Sequence, residues 1–145
     1  MATLEEAILL AVQAHHGQMD KGGFPYILHP LRIMSRMRTE TEMIVAVLHD
    51  VIEDTEVTLD DLREKGFSDE VIAAVDSLSR RENESYKDFI KRIKLNPLAV
   101  QVKFGDLEDN MDIRRLNSID DADRERLMRY LQVWNELAQM IDNMR

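Results

Sequence analysis

Along the 145-residue chain, apolar positions recur at spacings of three and four almost throughout, and no segment alternates convincingly with period two. That pattern predicts helices and no sheet. Leu4, Ile8, Ala11 and His15 fall on one stripe of a first helix, about residues 3 to 15. The stretch GQMDKGGFPYILHP, residues 17–30, is broken by glycine and proline and reads as an irregular loop; Pro30 then suits the first turn of a helix reaching about Met37. Thr39 and Glu42 form a capping-box pair ahead of a third helix, about 40 to 52. Thr58 with Asp61, Ser68, and Ser85 with Asp88 mark further helix starts, and Pro97 suits the first turn of the next helix. A final helix, about 120 to 143, places Leu127, Leu131, Trp134, Ala138 and Ile141 at spacings of four and three. Such a stripe serves either an intramolecular core or the seam of a homodimer. The expected architecture is one compact all-α domain, residues 1–145.

The third helix breaks the rule that a central helix is apolar. Positions 43–48 and 51–52 are all apolar, yet His49, Asp50, Glu53 and Asp54 stand among and beside them. Ionised carboxylates are costly to bury without a partner. His49 and Glu53 share a face at i, i+4, as do Asp50 and Asp54, and the adjacent pair His49–Asp50 can converge on an ion lying between their directions. A divalent cation is the cheapest way to keep such a cluster charged and dry. Further ligands must come from other buried faces. His15 continues the Leu4–Ile8–Ala11 stripe and His16 the stripe of Leu9 and Val12, so the faces alone do not choose between them. Asp106 follows Val102 on a face that continues to Asn110 and Ile113, whereas Glu108 and Asp109 fit an exposed face. His29, in YILHP, reads as a side chain that pins its loop by hydrogen bonds.

Composition narrows the classes. The chain carries 28 acidic and 19 basic residues, a net charge of −9, which argues against a nucleic-acid partner. It has no cysteine, so disulfides, thiolate metal sites and cysteine nucleophiles are excluded. No apolar run is long enough for a membrane span, and the N-terminal stretch lacks the marks of a secretory signal. A cytoplasmic address is expected.

Three stretches in order, AHHGQMDKGGFPYILHPLRI, AVLHDVIEDTEVTLDDL and VKFGDLEDN, resemble the HD-domain metal phosphohydrolases. The closer likeness is to the hydrolase domain of Rel/Spo-type alarmone enzymes and their small stand-alone relatives, which remove pyrophosphate from the 3′ position of (p)ppGpp. The resemblance covers about residues 4 to 116, leaving a C-terminal packing helix. It implies a helical HD-type fold, a nucleotide substrate and one divalent ion, typically Mn²⁺. It further implies metal ligands His15 (three positions before Gln18), His49, Asp50 and Asp106. Glu53 and Asp54 match the acidic pair that handles the hydrolytic water, and Lys21 and Asn110 match nucleotide-contacting positions. Arg32, Lys103 and Arg114 are further basic candidates for an anionic substrate.

The likeness breaks down in one stretch. The family's distal motif carries arginine, histidine, arginine and threonine where this chain has Leu107, Asp109, Asp112 and Ile113, and Asp20 stands where a basic neighbour of Lys21 is expected. Arg114 and Arg115 are the candidates to replace the lost charge. Two alternatives therefore accompany the alarmone reading: hydrolysis of another nucleotide or small phosphate ester, and a non-catalytic module that senses a nucleotide.

Overall fold

The computed structural model describes residues 1–144, and within them the expected all-α architecture is present. Nine α-helices follow one another: α1 (Leu4–Ala14), α2 (Leu28–Ser35), α3 (Glu40–Leu48), α4 (Val51–Asp54), α5 (Leu59–Glu64), α6 (Asp69–Ser77), α7 (Tyr86–Lys94), α8 (Pro97–Asn110) and α9 (Asp121–Met144). A 3₁₀ turn, Ile113–Arg115, links the last two. The helix starts are set locally. Thr39 and Glu42 close a reciprocal capping box on α3, Thr58 and Asp61 do so on α5, and Thr3 with Glu6 adds a third on α1. Ser68 and Ser85 cap α6 and α7, and Pro97 opens α8 behind the Asn96 cap.

The core gathers around α3, whose Val45, Ala46, Val47 and Leu48 are completely buried. Helices α1, α2, α6 and α8 pack against it. Gly105 lets α8 come close to α2, because a Cβ there would lie 2.9 Å from Met37 Cε and 3.3 Å from Ile33 Cγ2. No helix among the described residues is long and apolar enough to cross a membrane.

Two expectations change. The helix read as 40–52 is two helices, broken at His49 and Asp50. The Ala46 carbonyl, which a continuous helix would give to the Asp50 amide, is taken by the His49 ring (Nδ1, 2.7 Å) and by the His49 amide. The side chain thus ends its own helix, and the break turns both residues toward α2 and α8. On α9 the buried positions are Val133, Leu137 and Ile141, with Trp134 stacked on Phe104 of α8 at 5.1 Å; Leu131, expected in the stripe, is 51% exposed. The buried face is therefore rotated from the one read by spacing, since α9 meets α8 along a line fixed by the Phe104–Trp134 contact.

Candidate active site

The break between α3 and α4 brings four groups from three parts of the chain to one point. His49 Nε2 lies 3.0 Å from Asp50 Oδ2 and 3.6 Å from Asp106 Oδ1. His29, on the first turn of α2, places Nε2 3.0 Å from Asp106 Oδ1 and 4.0 Å from Asp50 Oδ2. One donor atom each from His29, His49 and Asp50 lie within 4.8 Å of one another, the spread a single metal ion spans.

The surroundings orient each of these side chains. His49 donates from Nδ1 to the Ala46 carbonyl, which directs Nε2 at the cluster, where it has no hydrogen bond of its own. His29 donates from Nδ1 to Asp109 Oδ2 at 2.6 Å. The Tyr26 hydroxyl donates to Asp50 Oδ2, and Lys103 Nζ to Asp106 Oδ2 at 2.9 Å. Asn110 Nδ2 donates to Asp106 Oδ1 at 3.1 Å. Imidazoles locked through the far nitrogen, beside hydrogen-bonded carboxylates, are the usual support of a metal ligand set. These residues fit a divalent cation.

The electrostatics agree. Burial alone would lower His49, but the Asp50 and Asp106 carboxylates overcome it and hold its pKa well above the ordinary imidazole value. His29 is likewise raised, burial being outweighed by Asp106 and Asp109. Asp106 and Asp50 stay below the ordinary carboxylate value despite burial, the first chiefly through Lys103 and the second through His49. The two carboxylates of the cluster favour positive charge on the groups beside them.

The expected site residues divide into groups. His49, Asp50 and Asp106 come together. His15 is buried next to them, its Nδ1 2.8 Å from Gln18 Oε1 and its Nε2 without a partner; like Asp106 it is outside the three-residue group of close donor atoms, which includes His29. The loop-pinning role expected for His29 is filled only through its Nδ1. Glu53 and Asp54 sit on α4 beside Asp50, with one oxygen of each of the three carboxylates within 4.8 Å. Asp54 is pushed up to about 6 by burial and by the Asp50 and Glu53 charges. Glu53 Oε1 accepts from the Arg80 amide at 2.7 Å.

His29, Asp50, Glu53, Asp54 and Asp106 line a cleft of about 480 Å³ together with Lys21, Asn110, Arg32, Lys103 and Arg115. Arg114 does not line it: its side chain is 87% exposed and forks onto Asp112. Asp109, expected on an exposed face, is completely buried under Arg32, His29 and Arg115. Its burial, like the role of Tyr26, depends on partners far away in sequence, and helical spacing gave no sign of either.

No family model matches the chain. Among curated proteins it is 32% identical to the bifunctional (p)ppGpp synthase/hydrolase SpoT of Escherichia coli K12, over 93% of this chain and 21% of that protein. It is 39% identical to a guanosine-3′,5′-bis(diphosphate) 3′-pyrophosphohydrolase of Vibrio cholerae, over 59% of this chain and 12% of that protein. The chain thus spans about a fifth or less of the length of these relatives. Among solved structures it superposes with TM-score 0.76 and 20% identity on a metazoan ortholog of SpoT described as hydrolysing ppGpp, covering 94% of this chain and 85% of that one. That likeness shows the fold.

Proposed function

The chain is an HD-type helical domain akin to the hydrolase domain of Rel/Spo-type enzymes, and on that premise we propose that it is a metal-dependent phosphohydrolase removing pyrophosphate from the 3′ position of (p)ppGpp. The observation that carries the reading is the convergence of His29, His49, Asp50 and Asp106 on one point, with Glu53 and Asp54 beside it in an open cleft. In this proposal those four residues hold the ion, and His29 takes the place expected for His15. A set of two imidazoles and two carboxylates suits Mn²⁺. When bound, the ion supplies Lewis acidity toward water and toward a phosphoryl oxygen.

The chain's own residues do the rest. Asp54, with a pKa about 6, is ionised at neutral pH yet basic enough to take a proton from the attacking water. Glu53, fixed by the Arg80 amide, orients that water. The water oxygen bonds to phosphorus, the bond from phosphorus to the 3′ oxygen breaks, and the proton passes to that leaving oxygen. Lys21 and Asn110 face the nucleotide from the cleft wall. A core shared by residues from Ala7 to Ile141 supports reading 1–145 as one domain. A nucleotide substrate and a cysteine-free chain fit a cytoplasmic address.

The test is pyrophosphate release from ppGpp by Mn²⁺-loaded protein at neutral and mildly alkaline pH. Asp54→Asn is expected to lower kcat by about 10²–10⁴-fold, the range for a lost general base, with KM little changed. A wild type that releases no pyrophosphate ends this proposal. The second reading, another nucleotide or small phosphate ester, is favoured by Leu107, Asp112 and Ile113 in the distal motif. Equal turnover of adenine and guanine nucleotides would establish it.

A further inference from the structure

Two arginines in the cleft share a support, Asp109, that the water-handling pair does not use and that the metal cluster meets only through His29. Arg32 forks onto Asp109, with Nε 2.8 Å from Oδ1 and Nη2 3.0 Å from Oδ2. Arg115 reaches the same residue from the 3₁₀ turn, Nη1 at 3.3 Å from Oδ1 and Nη2 at 2.9 Å from the Asp109 carbonyl. Asp109 itself has no exposure and also accepts from His29 Nδ1 at 2.6 Å. Burial would raise its pKa, but the His29 and Arg32 bonds hold it well below the ordinary carboxylate value. It is therefore a fixed negative charge on which both guanidinium groups are anchored.

One negative charge faces Arg32, Arg115 and, at 3.7 Å from outside the cleft lining, Arg36, so the assembly leaves positive charge on the two arginines that line the cleft. A guanidinium carries five N–H donors, and each arginine uses two on Asp109, leaving three apiece. Both side chains line the cleft and are about a third exposed, so those donors can be reached. Of the other cations there, Lys103 is committed to Asp106 at 2.9 Å and Arg126 to Asp123, while Lys21 stands on the glycine-rich loop ahead of α2. The pair also has a defined distance from the metal cluster. His29 bridges them with one imidazole ring, Nδ1 to Asp109 and Nε2 to Asp106. An anion on the arginines lies beside, but apart from, a phosphoryl group at the cluster.

We propose that Arg32 and Arg115, held on the buried Asp109, form a clamp for a second phosphate group of the substrate, the one that is not cleaved. This rests on reading the cleft as a phosphohydrolase site, and it narrows the substrate class to small molecules with two separated phosphate groups. Planar, pre-anchored guanidinium forks match phosphate oxygens and lose little further side-chain freedom on binding. The positive charge absent from positions 107 and 112 is supplied to the cleft by residues outside the motif.

The test is calorimetric binding of inorganic pyrophosphate to the metal-free full chain, for wild type, Arg32→Gln, Arg115→Gln and the charge-matched surface control Arg63→Gln. Each cleft variant is expected to weaken binding by about tenfold or more, the effect of losing a hydrogen bond to a charged group, while Arg63→Gln matches wild type. Arg32→Lys and Arg115→Lys, which keep charge but lose the fork, are expected to fall between, and they carry the test if a glutamine variant fails to fold. In turnover of ppGpp by the Mn²⁺-loaded enzyme, the glutamine variants are expected to raise KM and leave kcat within a few-fold. Pyrophosphate binding unchanged in both cleft variants, or absent from wild type, overturns the clamp even if ppGpp is hydrolysed. Absent hydrolysis with arginine-dependent pyrophosphate binding overturns the hydrolase reading and keeps the clamp.

Discussion

An imidazole serves a metal through the nitrogen that carries no proton, so the partner of its other nitrogen decides whether it is ready. His49 and His29 have that nitrogen fixed, on the Ala46 carbonyl and on Asp109, and both aim Nε2 at the two carboxylates. His15 is fixed through Gln18 and leaves its Nε2 unpartnered, but like Asp106 it lies outside the His29–His49–Asp50 group of close donors. Metal content should separate them. After Mn²⁺ loading and gel filtration, His29→Gln is expected to lose the ion, whereas His15→Gln keeps it. The reverse would restore the ligand set expected from the sequence. The meeting of His49, Asp50 and Asp106 was legible, because an acid and an imidazole on otherwise apolar helices advertise themselves. His29 lay hidden in a loop-to-helix junction, where no period marks a buried face. Asp109 was read as exposed because a helical wheel cannot show that His29 and Arg32, nearly eighty residues earlier, would cover it.

Among the elements, helix starts were the most legible feature, since caps act within four residues of themselves: Thr39, Thr58, Ser68, Ser85 and Pro97 all stand where helices begin. The turn between α6 and α7 was not, although its Arg80 amide holds Glu53. That turn is organised by Glu84, whose carboxylate takes Arg92 at 2.7 Å and 2.9 Å and the Arg81 amide at 3.0 Å. The Arg92 fork, then the Arg81 amide, lower Glu84 from the ordinary 4.5 to about 2. A folded-state pKa below the unfolded one means that the stabilisation is full above pH 4.5 and is lost as pH falls toward 2. Glu84→Gln should therefore flatten the acid side of a plot of Tm against pH across that window, and it should lower Tm at neutral pH. Parallel curves for variant and wild type would show that this ion pair does not hold the turn.

For the whole molecule, the site is a charge problem set inside the core. Helices α2, α3, α4 and α8 reach their positions by burying apolar faces, and Gly105 lets α8 approach α2, so the acids and imidazoles meet within the packed core. The chain already carries a net charge of −9, which adds repulsion to any uncompensated carboxylate. An ion that binds only this assembled geometry must stabilise the folded state by mass action, by about 2.7 kcal/mol at a hundred times its Kd. For a chain of this size that amounts to a Tm rise of roughly 5–10 °C, at about 2–4 °C per kcal/mol. Calorimetry with and without Mn²⁺ is expected to show the rise in wild type and in Asp54→Asn, which lacks only the proton acceptor. Asp106→Asn is expected to show little rise, because it removes a proposed ligand while leaving the helices packed. A rise preserved in Asp106→Asn would move the ion to the Asp50–Glu53–Asp54 carboxylates. A wild type with no rise would mean that Lys103 and the protonated imidazoles already satisfy the cluster, and that it serves the fold alone.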